Sequence, residues 1–234
     1  MNPPLRFAAA TLAALIVSAP GAPAKSVPPI PELVRQHGTT QLIVDGKPFL
    51  MIGGELDNSS ASSAAFLQPV WPRLVAMNFN TVLAPVTWEL IEPQEGKFDF
   101  RSVDDLIGAA RKHRLHLVPL WFGSWKTSMS SYVPAWVKRD QDRFPRAVRS
   151  DGRGMEMLSA FGANNLEADG RAFAALMQRL KERDGTQHTV VMVQVENEVG
   201  MISEARDHSA AADAAFAAPV PASPPTSSSS PAPA

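Results

Sequence analysis

Between residues 66 and 195, segments with apolar residues at helical spacing alternate with uninterrupted apolar runs of strand length. A parallel strand needs a crossover connection to reach its neighbour, and that connection is usually a helix. The alternation therefore predicts a parallel α/β sheet, as in a doubly wound sheet or a (β/α)8 barrel. The predicted helices cover residues 66–77, 103–110 and 173–180, and the predicted strands cover residues 81–84, 115–120 and 190–195.

Two local signals refine this pattern. Asp45-Gly46 lies between two apolar runs and predicts a tight hairpin turn, because this dipeptide tolerates positive φ angles. The run after it, residues 49–52, is a candidate first strand of the larger sheet. Ser102 is a candidate N-cap of the helix over residues 103–110.

Polar and aromatic residues collect just beyond the predicted strand ends, and barrel enzymes build their active sites at that face. This favours the barrel over the doubly wound sheet. Only about four β/α units can be counted, so we expect the first half of a barrel. The candidate site residues are Glu55, Trp88, Glu89, Trp121, Trp125, Asn197 and Glu198.

The two ends of the chain differ in composition from its middle. Residues 1–24 have an apolar run and a small-residue cleavage site, typical of an export signal, so we expect a periplasmic or extracellular protein. An uncleaved membrane anchor is the alternative. Residues 25–39 are a Pro-containing leader, residues 40–208 carry the half barrel, and residues 209–234 form an Ala/Pro/Ser-rich tail predicted to be disordered.

Charge and residue usage limit the partners. Lys and Arg number 22 against 23 Asp and Glu, so no net field would attract nucleic acid or an anionic membrane. The chain has no cysteine, which removes disulfides and thiolate metal sites. His113 and His116 have a ligand-like spacing but complement a helix C-terminus, so neither a metal nor a cofactor is predicted. The oligomeric state stays open.

The last predicted strand leads into Glu196-Asn197-Glu198. Retaining hydrolysis of a glycoside needs two carboxyl groups about 5 Å apart, one to protonate the leaving oxygen and one to attack the anomeric carbon. A carboxyl group at a strand end, next to an amide that can bind a hydroxyl, suits the first role. Glu198 is the candidate proton donor and Asn197 its neighbour.

The stretch VQVENE, followed by a glycine, resembles the fourth-strand signature of clan A glycoside hydrolases, especially the β-galactosidases of families 35 and 42. Three further stretches extend the resemblance over residues 40–208: residues 49–55, the pattern W-x3-E-P-x2-G-x-F-x-F over residues 88–100, and Pro-Ala-Trp at 134–136. The resemblance implies that Glu198 is the acid/base and that Asn197 binds substrate. It implies for Glu196 a supporting role through hydrogen bonds.

The same resemblance implies cleavage of terminal β-D-galactosides or related β-glycosides in oligo- or polysaccharides. Its nucleophile is a glutamate at the end of a seventh strand, which we expect to be missing from a C-terminally truncated chain. A non-catalytic carbohydrate-binding remnant and an inactive fragment are the alternatives. Trp88, Trp121 and Trp125 are expected either to stack on sugar rings or to pack in the core, and Glu55 and Glu89 either to orient sugar hydroxyls or to pair with basic residues.

Overall fold

The computed structural model describes residues 29–36 and 38–220. The predicted export signal and the end of the predicted tail, residues 221–234, lie outside the described residues. Within the described ranges, no helix is long and apolar enough to cross a membrane.

The chain starts with a small antiparallel sheet of three strands: β1 (Glu32–Gln36), β2 (Thr39–Val44) and β3 (Lys47–Pro48). Asp45 and Gly46 connect β2 to β3 with φ angles of 50° and 74°. Two successive positive φ angles define a type I′ turn, so the predicted hairpin is confirmed. The predicted leader, residues 25–39, contributes β1.

The larger sheet is parallel, with strand order β4 (Gly53–Glu55), β5 (Thr81–Thr87), β6 (His116–Phe122) and β9 (Gln194–Val195). Val82 pairs with Leu117 and Thr87 with Phe122, so the long central strands β5 and β6 stay in register. The fold class is α/β as predicted, and the strands follow one another in chain order, which is consistent with part of a (β/α)8 barrel. Over the described residues the sheet remains open.

Helices cover one face of this sheet. The predicted helices are confirmed in kind, although residues 66–77 form two short helices rather than one. Ser102 lies inside its helix and not at the cap, which is Phe100. The helices are α1 (Ala64–Leu67), α2 (Val70–Ala76), α3 (Trp88–Ile91), α4 (Arg101–Lys112), α5 (Ala135–Arg139), α6 (Ala163–Asp184) and α7 (Ala210–Ala217).

Four features differ from the prediction. Residues 49–52 are not a strand, and the first parallel strand starts at Gly53. Only the last two residues of the predicted strand 190–195 form β9, although Val190 also bridges to Leu117. An unpredicted hairpin of β7 (Arg146–Val148) and β8 (Gly154–Leu158) precedes α6. Part of the predicted disordered tail is α7, whose first turn is capped by the Ser209 hydroxyl, which accepts a hydrogen bond from the N–H of Ala212.

Side chains of β6 alternate between two apolar clusters. Leu117 and Trp121 face the cluster formed with α2, α4 and α6. Val118, Leu120 and Phe122 face the opposite side, where Val44 of the N-terminal sheet packs. Both faces of the sheet are therefore covered, as the uninterrupted apolar runs predict.

Candidate active site at the carboxyl edge of the sheet

The ends of the parallel strands bring the predicted site residues to one edge of the sheet. Glu55 ends β4, Trp88 and Glu89 follow β5, Trp125 follows β6, and the segment 196–198 follows β9. The in-register pairing of the strands accounts for this shared edge. We call residues 123–126, which follow β6, the β6 loop.

Glu198 is exposed at this edge, with 60% of its side chain accessible. Its backbone is left-handed, with φ at 48°. Lys126 Nζ lies 3.3 Å from Glu198 Oε2. A hydrogen bond from Thr127 and then the contact with Lys126 lower the pKa of Glu198, so the carboxylate is ionised in the free protein at neutral pH.

Asn197 is half-buried beside it. Its side-chain oxygen is buried and finds no hydrogen-bond donor among the residues that the structure describes. A buried amide oxygen without a donor costs free energy. The oxygen is thus available as an acceptor for a hydroxyl group.

Glu196 lines a cavity that Glu198 does not line, and its pKa is the most strongly shifted in the site. Its carboxyl accepts hydrogen bonds from the N–H of Ser124 at 3.1 Å and of Trp125 at 2.8 Å. Asp169 of α6 accepts from the same Ser124 N–H at 2.7 Å and from the indole N–H of Trp121 at 2.9 Å. Burial, followed by a hydrogen bond to Asp169, raises the pKa of Glu196 to about 9.

Asp169 is a site residue that the sequence analysis missed. The signal was available, because α6 repeats small or apolar residues at buried positions such as Ala172 and Leu176, and Asp169 shares that face. A carboxylate on the buried face of an amphipathic helix needs a partner. Here the partners are an indole, a backbone N–H and a second carboxyl group.

The two carboxyl groups line a cavity of about 250 Å³ between α6 and the ends of β6 and β9. They are the two acidic residues among those lining it, and Trp121, Trp125, Leu166 and Phe173 contribute to its apolar wall. Glu198 is not among the lining residues. The site therefore has an exposed part with Glu198 and a separate, partly buried part with Glu196.

The three tryptophans of the predicted site have different environments. Trp88 is 0% exposed, donates its indole N–H to Glu92 at 2.9 Å and packs edge-on against Trp136. Trp121 is 1% exposed and faces the helices. Both therefore pack in the protein interior, which is one of the two roles expected for them, and a contact with sugar stays a prediction. Trp125 is half-buried and donates its indole N–H to the carbonyl of Leu158 at 3.1 Å.

The two remaining predicted carboxylates lie away from Glu196. Glu55 is exposed at the end of β4. Glu89 is half-buried and lies 3.4 Å from the ammonium group of Lys138. Glu89 thus forms the ion pair with a basic residue that was one of its two expected roles.

A larger cavity and the pair His113 and His116 lie apart from this edge. A cavity of about 310 Å³ between the segment 61–71 and α4 contains none of the predicted site residues. His113 stacks on Trp71, while His116 contacts the carbonyl of His188. Among the residues described by the structure, no group of three His, Asp or Glu side chains is placed to hold a metal ion.

Comparison with known proteins gives the family. Residues 71–220 match the model of glycoside hydrolase family 42, described as β-galactosidase. A β-galactosidase of Xanthomonas manihotis is 30% identical over 190 residues, which is 78% of this chain and 29% of the relative. The β-galactosidase-1-like protein 3 of Rattus norvegicus is 31% identical over 70 residues, or 30% of this chain and 11% of the relative.

Among solved structures, the exo-β-1,4-mannosidase Op5Man5 from Opitutaceae bacterium strain TAV5 matches 66% of this chain and 26% of its own, with 18% identity and a TM-score of 0.49. The chain spans less than a third of the length of the Xanthomonas relative. The family match covers well over half of the chain and includes the Glu196-Asn197-Glu198 segment. The chain belongs to glycoside hydrolase family 42, within the glycoside hydrolases of clan A.

Proposed function

We propose that this chain carries the acid/base half of a retaining glycosidase that cleaves terminal β-D-galactosides or related β-glycosides. Glu198 is the general acid/base, and Asn197 binds a sugar hydroxyl next to it. The observation that carries the proposal is the position of both residues at the carboxyl edge of a parallel sheet, in a segment covered by the family match. Barrel enzymes place their chemistry at this edge.

The charge state of Glu198 decides which step it can perform. In the free protein Lys126 and Thr127 favour its ionised form, and a carboxylate is the form that activates water in the second step of retention. The first step needs a proton on Glu198. A sugar bound between Glu198 and Lys126 would exclude water and weaken this contact, which raises the pKa of the carboxyl group.

Retention also needs a nucleophilic carboxylate about 5 Å from the acid/base. We assign that role to none of the residues that the structure describes. Glu196 and Asp169 are engaged with each other, and Glu55 and Glu89 lie at the ends of the first two strands of the parallel sheet and not of a seventh. The substrate is a β-galactoside-containing oligo- or polysaccharide. We further propose that residues 1–24 direct the protein to the periplasm or the cell exterior.

Hydrolysis of aryl β-D-galactosides by a family-length polypeptide, which contains this chain and also supplies the nucleophile, tests the proposal. Glu198→Gln is expected to remove nearly all turnover. Glu198→Ala is expected to slow the hydrolysis of substrates with poor leaving groups more than that of substrates with good ones, because only a poor leaving group needs a proton to depart. Glu182→Gln, on an exposed carboxylate of α6, is the matched control. Unchanged turnover in Glu198→Gln would contradict the assignment.

The second candidate is sugar binding without turnover. It is favoured by the ionised Glu198 together with the acceptor oxygen of Asn197 and the half-buried indole of Trp125. Titration calorimetry with β-galactosides separates the two candidates. Saturable heat without product formation supports binding alone, whereas product formation that depends on Glu198 supports the glycosidase.

A further inference from the structure

We propose that Glu196 and Asp169 form a hydrogen-bonded pair of one carboxylic acid and one carboxylate, which positions the β6 loop and, through it, Glu198. Both are positioning residues and neither touches the reacting atoms. The inference rests on the proposed function, since it assigns a purpose to a group that the acid/base chemistry does not itself use.

The first argument is the arrangement of the donors. The N–H of Ser124 is shared, at 3.1 Å from Glu196 and 2.7 Å from Asp169. The outer oxygens accept from the N–H of Trp125 and the indole N–H of Trp121. Three N–H groups from one stretch of chain therefore converge on two carboxyl groups that come from two other elements, α6 and the end of β9.

The second argument is the glycine between them. A Cβ atom at Gly123 would lie 2.4 Å from Glu196 Oε1 and 2.5 Å from Asp169 Oδ1. It would also lie 2.3 Å from the indole nitrogen of Trp121. The backbone approaches the two carboxyl groups so closely that a Cβ atom here would force them or the indole to shift, which favours a glycine directly after this bulky apolar strand.

The third argument is charge. Two ionised carboxylates cannot share one N–H in a partly dry cavity without strong repulsion, and the residues lining this cavity include no cation. Among the groups that face Glu196 from α6, from β9 and from the β6 loop, Asp169 is the titratable one that raises its pKa. Lys126, the residue after Trp125, contacts Glu198 instead. One retained proton resolves the repulsion by forming a hydrogen bond between the pair.

The pair is connected to Glu198 by two short paths. In the segment after β9, Glu196 precedes Glu198 by two residues, and the side-chain N–H of Gln194 donates to the carbonyl of Glu196 at 2.9 Å. Along the β6 loop, Trp125 is held by Glu196, and the next residue, Lys126, contacts Glu198. A shift of the pair would therefore displace the acid/base and its cationic neighbour together.

Proton titration of the ¹⁵N-labelled full chain tests the pair without any need for turnover. The amide signals of Ser124 and Trp125 and the indole signal of Trp121 should titrate together well above the ordinary glutamate pKa of about 4.3. Glu196→Gln should abolish this titration, because its amide can donate to Asp169 at every pH. A titration in the ordinary carboxylate range, or one that survives in Glu196→Gln, would overturn the proposal.

Kinetics test the positioning role. In the family-length polypeptide that also supplies the nucleophile, Glu196→Ala should lower kcat at neutral pH by about 10²-fold with little change in KM, as expected for a misplaced catalytic group. Glu196→Gln should restore most of kcat, whereas Glu182→Gln should leave kcat as in the wild type. Equal kcat for Glu196→Ala and wild type would refute positioning. If Glu198 proves not to be catalytic, the titration still reports on the pair, so the two failures are distinguishable.

Discussion

Asp184 offers a sharp test of what holds the last strand against the rest of the sheet. The residue ends α6, is 5% exposed, and accepts the N–H of Thr189 at 3.0 Å and the N–H of Val190 at 2.6 Å. The guanidinium group of Arg111 in α4 lies 2.5 Å from the same carboxylate. One side chain thus joins two helices to the segment that leads into β9.

The perturbation is Asp184→Ala, which leaves two backbone donors and a guanidinium group without their acceptor. Removing one partner of a buried ion pair costs about 3–5 kcal/mol. For a domain of this size each kcal/mol lowers Tm by roughly 2–4 °C, so we expect a decrease of about 6–20 °C. Asp184→Asn should lie between this variant and wild type, because its amide oxygen still accepts one hydrogen bond.

Thermal unfolding followed by circular dichroism at neutral pH measures the effect. Glu182→Ala is the control, since Glu182 is two residues away on the same helix and exposed, and exposed ion pairs contribute about 0–1 kcal/mol. A melting temperature for Asp184→Ala within about 2 °C of wild type would refute the reasoning.

Four further predictions concern the site and the chain's start. Gly123→Ala should destabilise the protein by about 1–3 kcal/mol, the usual cost of overpacking, measured by urea unfolding. Lys126→Met should raise the pKa of Glu198 and move the alkaline limb of the kcat/KM profile to higher pH. Wild-type stability should fall as pH rises from about 5 to about 9, by at most about 1.4 kcal/mol per pH unit from Glu196, and Glu196→Gln should lose that contribution. N-terminal sequencing of exported protein should show cleavage after residue 24.

The sign of the pH effect follows from proton uptake. Glu196 in the folded protein has a pKa of about 9 against 4.5 for the free side chain. Between these values the folded state retains a proton that the unfolded state has released, so raising the pH favours unfolding. An equal pH slope in wild type and Glu196→Gln would contradict this account.

Matched variants control the other predictions. Gly170→Ala meets nothing within 4 Å on α6 and should be neutral or stabilising, in contrast to Gly123→Ala. Lys138→Met removes the contact with Glu89 and should leave the pH dependence of kcat/KM unchanged. An unchanged alkaline limb in Lys126→Met would show that Lys126 does not set the pKa of the acid/base. An intact N-terminus on exported protein would support the uncleaved anchor.

The spacing of apolar residues and the turn residues were sufficient to predict the N-terminal hairpin and the central strands of this fold. Asp45-Gly46 predicted the hairpin because few dipeptides tolerate two positive φ angles. The apolar runs predicted β5 and β6 because a strand whose two faces are both buried carries apolar residues at successive positions. Residues 190–195 have the same composition but form a shorter strand, because β9 lies at the edge of the described sheet and pairs on one side only. Pairing partners are a tertiary property that composition does not encode.

The site was predicted less completely, for a reason of geometry. An uninterrupted apolar run shows that both faces of a strand are buried, but it does not show which face each side chain takes. Trp121 therefore could not be assigned to the helix-facing side before the register of β6 was known. Similarly, the partnership of Glu196 with Asp169 joins residues 27 positions apart through the packing of α6, and no local spacing reports it.

The N-terminal sheet has a consequence for how this protein can be handled. Val44 covers the side of β6 that carries Leu120 and Phe122, and the turn residue Asp45 lies 2.6 Å from the ring of His188, just before the last strand. A shortened version that starts at Gly53 would expose those side chains to solvent and lose the contact between Asp45 and His188. Such a version should self-associate, and useful expression boundaries therefore lie upstream of Glu32.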